Sequence, residues 1–434
     1  MAFFKKYNYS TIWGNALNYL KAQLGLQQVT KKLYQVEKLD IPKPQLKFKE
    51  KVDNSETIWK PTLMYKPNSM QPLDLQLELK SDGTYEYCHP YKYELENFHP
   101  PSWQLKKKLT KRFQPLEDTP LYFIDKEDKL HDMLENLKTC SEIAVDLENH
   151  SPRSFQGITC LIQISTRDTD YIIDTLSLRS ELHVLNDIFT KPTILKVFHS
   201  AEMDIIWLQR DFSLYVVNMF DTQKAAKKLE FPLSLSYLLT TCCQLNIDKN
   251  SKKNFQMSDW RKRPLTKSLL KYAREDTHYL LYIKDVLTNA LIENNKEDLQ
   301  SLLNVYKEST EVCKKVYAKP VNSEFSFLHV LRRKRKNFNN RQLFALKELY
   351  KLRFEVARRD DESENHVLSN SILIHIAEKL PISDEEILNY NENFLSENIT
   401  EIKKINEQAR KLPHAPCLED IKNVHNKDCI DKIL

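Results

Sequence analysis

Glycine is scarce. The 434-residue chain holds 4, Gly14, Gly25, Gly83 and Gly157, and none belongs to a GxGxxG or P-loop pattern. Glycine-rich cradles for nucleotide phosphates are therefore excluded. Paired cysteines are lacking too. The 8 Cys are scattered, only Cys242 and Cys243 are adjacent, and no CxxC occurs. This argues against a zinc site or a disulfide framework and fits thiols in a reducing compartment. No apolar run reaches about 18 residues, so no membrane span is expected. The opening MAFFKKYNYS lacks the apolar core of a signal peptide. A strong excess of one charge is missing as well: the net charge is +5, too mild to argue for nucleic acid by itself. No internal repeat is evident.

What is present describes an ordinary globular protein of two or three domains, with 41% hydrophobic and 29% charged residues. Two basic runs, Lys106–Arg112 and Arg332–Lys336, read as solvated faces, with phosphate binding or nuclear import left open. Residues 1–40 read as a short helical segment. Residues 41–120 are proline-dense and aperiodic, hence extended, and Trp59, Tyr65, Tyr87, Tyr91 and Trp103 suggest chain lying on a domain surface. From 121 to 300 strands and helices alternate, which is an α/β pattern. The expected strands are Ile143–Leu147, Thr159–Ile164, Tyr171–Ile173, Ile194–Phe198 and Tyr215–Phe220. The expected helical segments are Glu181–Phe189, Met203–Gln209, Leu233–Cys243 and Leu265–Leu291. Residues 301–338 read as a basic connector, 339–412 as a small all-α domain, and 413–434 as a tail.

At the end of the first of these strands stand Asp146 and Glu148. Side chains on a strand alternate with period 2, so both carboxylates leave the same face. Like charges that close are unfavourable unless a cation neutralises them. Read alone, the pair marks a strand that has reached its exposed end. Asp204 follows HSAEM, where an apolar strand ends at His199 and Ser200 could cap a helix; alone, it reads as a first-turn acid favoured by the helix dipole. In LLKYAREDTHYL, Leu269, Tyr272, Asp276 and Leu280 lie on one helical stripe. An acid on that stripe needs a partner, and Tyr272 at i−4 is the local one. Taken together, Asp146, Glu148, Asp204 and Asp276 suit a pair of hard divalent cations, Mg²⁺ or Mn²⁺.

The order and context of these motifs, DLE at Asp146–Glu148, HSAEMD ending at Asp204 and Tyr272-x3-Asp276, resemble the DEDDy-type 3′→5′ exonucleases of the RNase D group, in particular the exosome-associated branch. Lys271 stands where the histidine variant would carry its His. LIQIST (Leu161–Thr166), FDT (Phe220–Thr222), SDWRKRPL (Ser258–Leu265) and the IPKPQLKF leader extend the resemblance. ARRDDES (Ala357–Ser363) resembles the helicase-and-RNase-D C-terminal (HRDC) domain. The likeness spans roughly residues 41–410.

The resemblance implies an RNase H-like mixed-sheet domain, wrapped by the 41–120 leader and followed by an HRDC-like domain. It implies a two-metal mechanism on single-stranded RNA that yields nucleoside 5′-monophosphates. Asp146 would ligate both ions, Glu148, Asp204 and Asp276 would complete their shells, and Tyr272 would orient the attacking water. The RNA exosome core and its cofactors are the implied partners and the nucleus the implied location, with no membrane association. A Werner-type DNA exonuclease and a catalytically inert RNA-binding subunit are the competing readings. Glu202 departs from the family's apolar or aromatic residue, which bears on packing of the terminal nucleotide. The family's larger N- and C-terminal regions are expected to be reduced or missing. His199 is expected to pack at its strand end and His278 to face outward. Ser258 or Asp259 is expected to cap, Trp260 to pack, Pro264 to precede a helix, and Asp221 to cap before Thr222. Arg358–Asp361 is expected to form a solvated turn.

Overall fold

Short runs of β-branched and apolar residues separated by turns become a sheet because such side chains fit a pleated, buried surface. The computed structural model describes residues 41–81, 83–248, 254–294, 299–334, 337–390 and 392–415. The segment read as helical over 1–40 lies outside them, as do residues 416–434 of the tail. From Pro44 onward the chain forms one compact unit.

The leader carries a small antiparallel hairpin of β1 (Leu77–Leu79) and β2 (Tyr85–Tyr87). The main sheet has β3 (Leu121–Ile124), β4 (Glu142–His150), β5 (Ile158–Ser165), β6 (Asp170–Asp174), β7 (Leu195–Phe198) and β8 (Met219–Asp221). Its order is β3-β6-β5-β4-β7-β8. The β3–β6, β4–β7 and β7–β8 pairs are parallel, while β5 is antiparallel to both its neighbours. This is the expected α/β mixed sheet. β3 was not among the expected strands: LYFI is a short edge run that gains its strand character from pairing with β6. Conversely, Tyr215–Val217 is not strand. The Tyr215 N–H goes to Asn186 Oδ1 and the Val217 N–H to the Phe189 carbonyl, which leaves β8 only three residues.

On one face of the sheet Ile143, Val145, Ile162, Ile164 and Ile173 pack with Leu130, Met133 and Leu137 of helix Glu127–Lys138, and with Ile205 and Leu208 of helix Glu202–Phe212. Full burial of each such side chain is worth about 1.5–3 kcal/mol. The opposite face, with Leu161 and Ile172, packs against Leu269, Tyr272 and Ala273 of helix Lys267–His278. The span expected as one segment, Leu265–Leu291, is two helices, the second running Leu280–Asn294.

The leader does more than coat the domain. Tyr91 is fully buried in the main core, Thr62 bonds Ser213, and the Lys108 backbone is held on both sides by Asn289. The stretch read as a connector also contributes to cores. Helix Gln300–Cys313 buries Leu302, Val305, Tyr306 and Val312. Helix Leu328–Lys334 supplies Leu328, Val330 and Leu331 to the C-terminal helical core. The basic run begins on that helix, and its residues 335 and 336 are not described.

The C-terminal domain opens with Asn339, whose side chain accepts the Gln342 N–H while Gln342 returns the bond, a reciprocal cap on helix Asn340–Asp360. Asn370–Lys379 and Ile399–Lys411 pack against it. The turn after the long helix is not simply solvated. Asp361 adopts a left-handed conformation at φ 49°, and its carboxylate accepts from Ser154 Oγ and the Phe155 N–H at 3.0 Å, from Gln45 Nε2 at 2.9 Å and from Asn54 Nδ2 at 3.1 Å. Glu362 pairs with Arg153. Only Arg359 and Asp360 form the exposed charged pair that was expected. Among the described residues no helix is long and apolar enough to cross a membrane.

Candidate active site

Strand β4 is paired unevenly. Its parallel contact with β7 covers Glu142–Ala144, whereas its antiparallel contact with β5 runs from Ala144 to His150. Asp146 and Glu148 therefore stand on the half of β4 that projects beyond β7. A register shift between Glu148 and Asn149 interrupts the regular pairing just past them, a common device beside sites.

Helix Lys267–His278 crosses this face, capped by the Thr266 hydroxyl on the Leu269 N–H. The stripe read from the sequence, Leu269, Tyr272, Asp276 and Leu280, is buried throughout. Asp276 meets the strand acids: Asp146, Glu148 and Asp276 offer carboxylate oxygens that all lie within 4.8 Å of one another. Tyr272 is beside them, its ring packed near Phe255 and Trp260 with centroids at 5.6 and 5.9 Å. Burial raises its phenol pKa strongly, and the charges of Asp276, Glu148 and Asp146 raise it further.

Asp204 is not in that trio. It sits in the first turn of helix Glu202–Phe212 and is 6% exposed. Burial first, and the charge of Asp221 second, push its carboxyl up to about 8. Ser200 is not the cap of this helix: it has φ 62°, and its N–H and that of Ala201 both donate to Asp221, at 2.9 and 3.0 Å. The same carboxylate accepts the Gln223 N–H at 2.8 Å, and the Asp221 N–H donates to Ser309 Oγ at 3.0 Å. Asp221 thus caps as expected and also fixes the start of the Asp204 helix. The FDT motif signalled this residue, but only the fold reveals its reach.

The remaining expectations fare unequally. His199 is partly exposed, with Nδ1 2.9 Å from Thr222 Oγ1. His278 faces inward: it is 8% exposed, with Nδ1 2.9 Å from Asp170 and Nε2 2.9 Å from the Gln114 carbonyl. Trp260 is fully buried. Asp259 does not cap a helix. It accepts from the Arg261 N–H and guanidinium and lies 3.3 Å from His150 Nδ1, because the next helix starts only after Thr266. Pro264 does precede it. Glu202 faces Lys224 and Lys315 at 3.0 and 2.9 Å, which hold its carboxyl at about 2.

The oxygen-only donor set and the gathering of two buried acids with the half-buried Asp146 fit divalent cations. The arrangement matches a 3′-5′ exonuclease family model over residues 121–292, followed by an HRDC domain model over residues 342–401. Human exosome complex component 10 is 41% identical over 406 residues, covering 86% of this chain and 45% of that protein. Exosome complex exonuclease RRP6 of Saccharomyces cerevisiae is 39% identical over 416 residues, covering 88% and 55%. The crystal structure of the catalytic core of RRP6 from Trypanosoma brucei superposes with a TM-score of 0.75 at 33% identity, covering 85% of this chain and 99% of that one. The chain belongs to the RRP6 family, in which a 3′-5′ exonuclease domain is joined to an HRDC domain. It spans about half the length of those human and yeast relatives.

Proposed function

We propose that the chain is a metal-dependent 3′→5′ exoribonuclease that shortens single-stranded RNA from its 3′ end and releases nucleoside 5′-monophosphates. The observation that carries this reading is the meeting of Asp146 and Glu148 with Asp276 within 4.8 Å, where Asp276 shares its helix face with Tyr272. In this reading Asp146, Glu148, Asp204 and Asp276 hold two divalent cations, Mg²⁺ or Mn²⁺. When bound, such cations lower the pKa of a water, stabilise the leaving oxygen and neutralise the acids.

The chain's own residues do the positioning. Asp146, gathered with its strand neighbour Glu148 and with Asp276 of the helix, would be the shared ligand. Asp204 enters from its own helix, whose start is fixed by Asp221. Its raised pKa has the same origin as the acid cluster: burial with a neighbouring acid, which a cation relieves. Tyr272 is no base, since its phenol is held protonated. Its O–H serves as a donor that orients the attacking water.

Action on RNA with the exosome core and its cofactors, in the nucleus, is the biological setting we propose. It is supported by the family and by relatives described as an exosome complex component and an exosome complex exonuclease. The test is incubation with 5′-labelled single-stranded RNA and DNA, with Mg²⁺ or with EDTA. RNA should shorten stepwise with Mg²⁺ and stay intact in EDTA. Preferential loss of the DNA, or intact RNA under both conditions, contradicts the reading.

A further inference from the structure

Gln163 is the cross-strand partner of Asp146. Directly opposed residues of antiparallel strands project from the same face, with Cβ atoms about 4.5–5.5 Å apart. The amide therefore shares with Asp146 the surface covered by helix Lys267–His278. Gln163 is fully buried, yet neither its Nε2 nor its Oε1 has a hydrogen-bond partner. Its neighbours on the same strand face are provided for: Ser165 donates to Thr277 Oγ1 at 2.8 Å, and Leu161 packs in an apolar cluster with Ile172 and Ala273. A buried primary amide brings two donors and an acceptor, and folded interiors rarely leave all of them unmade. An aliphatic side chain would fill the same space without that cost. Packing does not explain the amide; its place beside Asp146 does.

We infer that Gln163 is a positioning residue for the cation site. Its N–H groups donate to the Asp146 carboxylate once that carboxylate turns to its cations, and its carbonyl accepts from water held there. Asp146 is thereby kept in the orientation that ligates. The inference rests on the exonuclease reading of the site. Partners that orient a metal ligand typically change metal affinity or activity by about 10–100-fold when removed.

The test compares wild type with Gln163→Leu and Gln163→Met in the full chain, read in two independent ways. Calorimetric titration with Mn²⁺ alone, without RNA, should give a dissociation constant about tenfold weaker or more in both variants. Thermal unfolding without metal should be unchanged or raised, because an unsatisfied amide has been removed. Single-turnover decay of 5′-labelled RNA at fixed Mn²⁺ should then show a lower maximal rate with unchanged half-saturation by RNA. Variants that melt higher but bind Mn²⁺ and turn over RNA like wild type overturn the inference and make Gln163 a packing residue. Should the leucine variant not fold, the methionine variant, which keeps the length and flexibility of glutamine, decides the same comparison. The function and the inference fail separately: inactive wild type with normal Mn²⁺ binding removes the exoribonuclease, whereas active wild type with an unchanged variant isotherm removes only the role of Gln163.

Discussion

The two ends of strand β4 treat their acids in opposite ways. At its start, Glu142 is surrounded by cations of the chain itself: Lys284 at 3.2 Å, Lys108 at 3.3 Å and the Arg167 guanidinium. Asp285 joins through Lys284 at 3.3 Å and Arg167 at 2.7 Å. Burial pushes the Glu142 carboxyl up, and these cations more than offset it, holding it at about 2. Four and six residues along, Asp146 and Glu148 are brought onto a further acid, Asp276. A carboxylate matched by internal cations is a structural device, whereas acids gathered on acids suit a charge that arrives from outside. One strand thus anchors the fold at one end and, in the function proposed, serves chemistry at the other.

The sharpest way to break this comparison is to remove a charge from each end. Asp146→Asn should lower RNA hydrolysis by about three decades or more, since it would delete the ligand proposed to be shared while leaving the shape of the side chain. Its fold and RNA binding should persist. Single-turnover decay of a 5′-labelled RNA measures this, and a near wild-type rate ends the site assignment. Glu142→Gln should do the reverse. Leaving Lys284 and Arg167 to share Asp285 without Glu142 should cost about 2 kcal/mol or more of stability, read from urea unfolding, while rate per folded molecule stays close to wild type.

The same residue predicts a pH dependence. Glu142 titrates near 2 when folded against an ordinary 4.5, so its stabilising contribution is present above about 4.5 and is lost as pH falls from there toward 2. Wild type should lose stability across that window, and Glu142→Gln should show a shallower acid limb. Equal limbs would mean that the internal cations do not hold this carboxylate. The smallest expected effect belongs to Tyr272→Phe, which removes one hydrogen bond and no ligand. It should slow turnover by roughly one to three decades with the Mg²⁺ titration unchanged. A wild-type rate, or rescue by excess Mg²⁺, would reduce Tyr272 to a packing residue.

The chemistry end was legible because its signals are local. Period 2 put Asp146 and Glu148 on one face, and the i, i+4 spacing put Tyr272 with Asp276. The α/β character followed from alternating strand and helix patterns, and the mixed sheet from the family resemblance. What escaped detection depends on contacts distant in sequence. Edge strand β3 is a strand only because β6 pairs with it, and His278 turns inward only because Asp170 and the Gln114 carbonyl await it. Asp361 looked like part of an exposed charged turn until Ser154, Phe155, Gln45 and Asn54 converged on it. The anchoring end of β4 joins Lys108, Glu142, Arg167 and Lys284, spread over leader, strand, turn and helix, and no local pattern could have assembled it. The Asp204 helix was expected, but the residue that fixes its start was taken for a cap alone.

The central claim, that the acid end of β4 is built for external cations, is tested most directly by thermal unfolding of wild type and Asp146→Asn in EDTA and in Mn²⁺. The account predicts that Mn²⁺ raises the wild-type midpoint by a few degrees, as binding to the folded state must at saturating ligand. It also predicts that Asp146→Asn, relieved of one repelling charge, melts no lower than wild type in EDTA and gains little from Mn²⁺. A wild-type midpoint indifferent to Mn²⁺, or an equal gain in the variant, would contradict it.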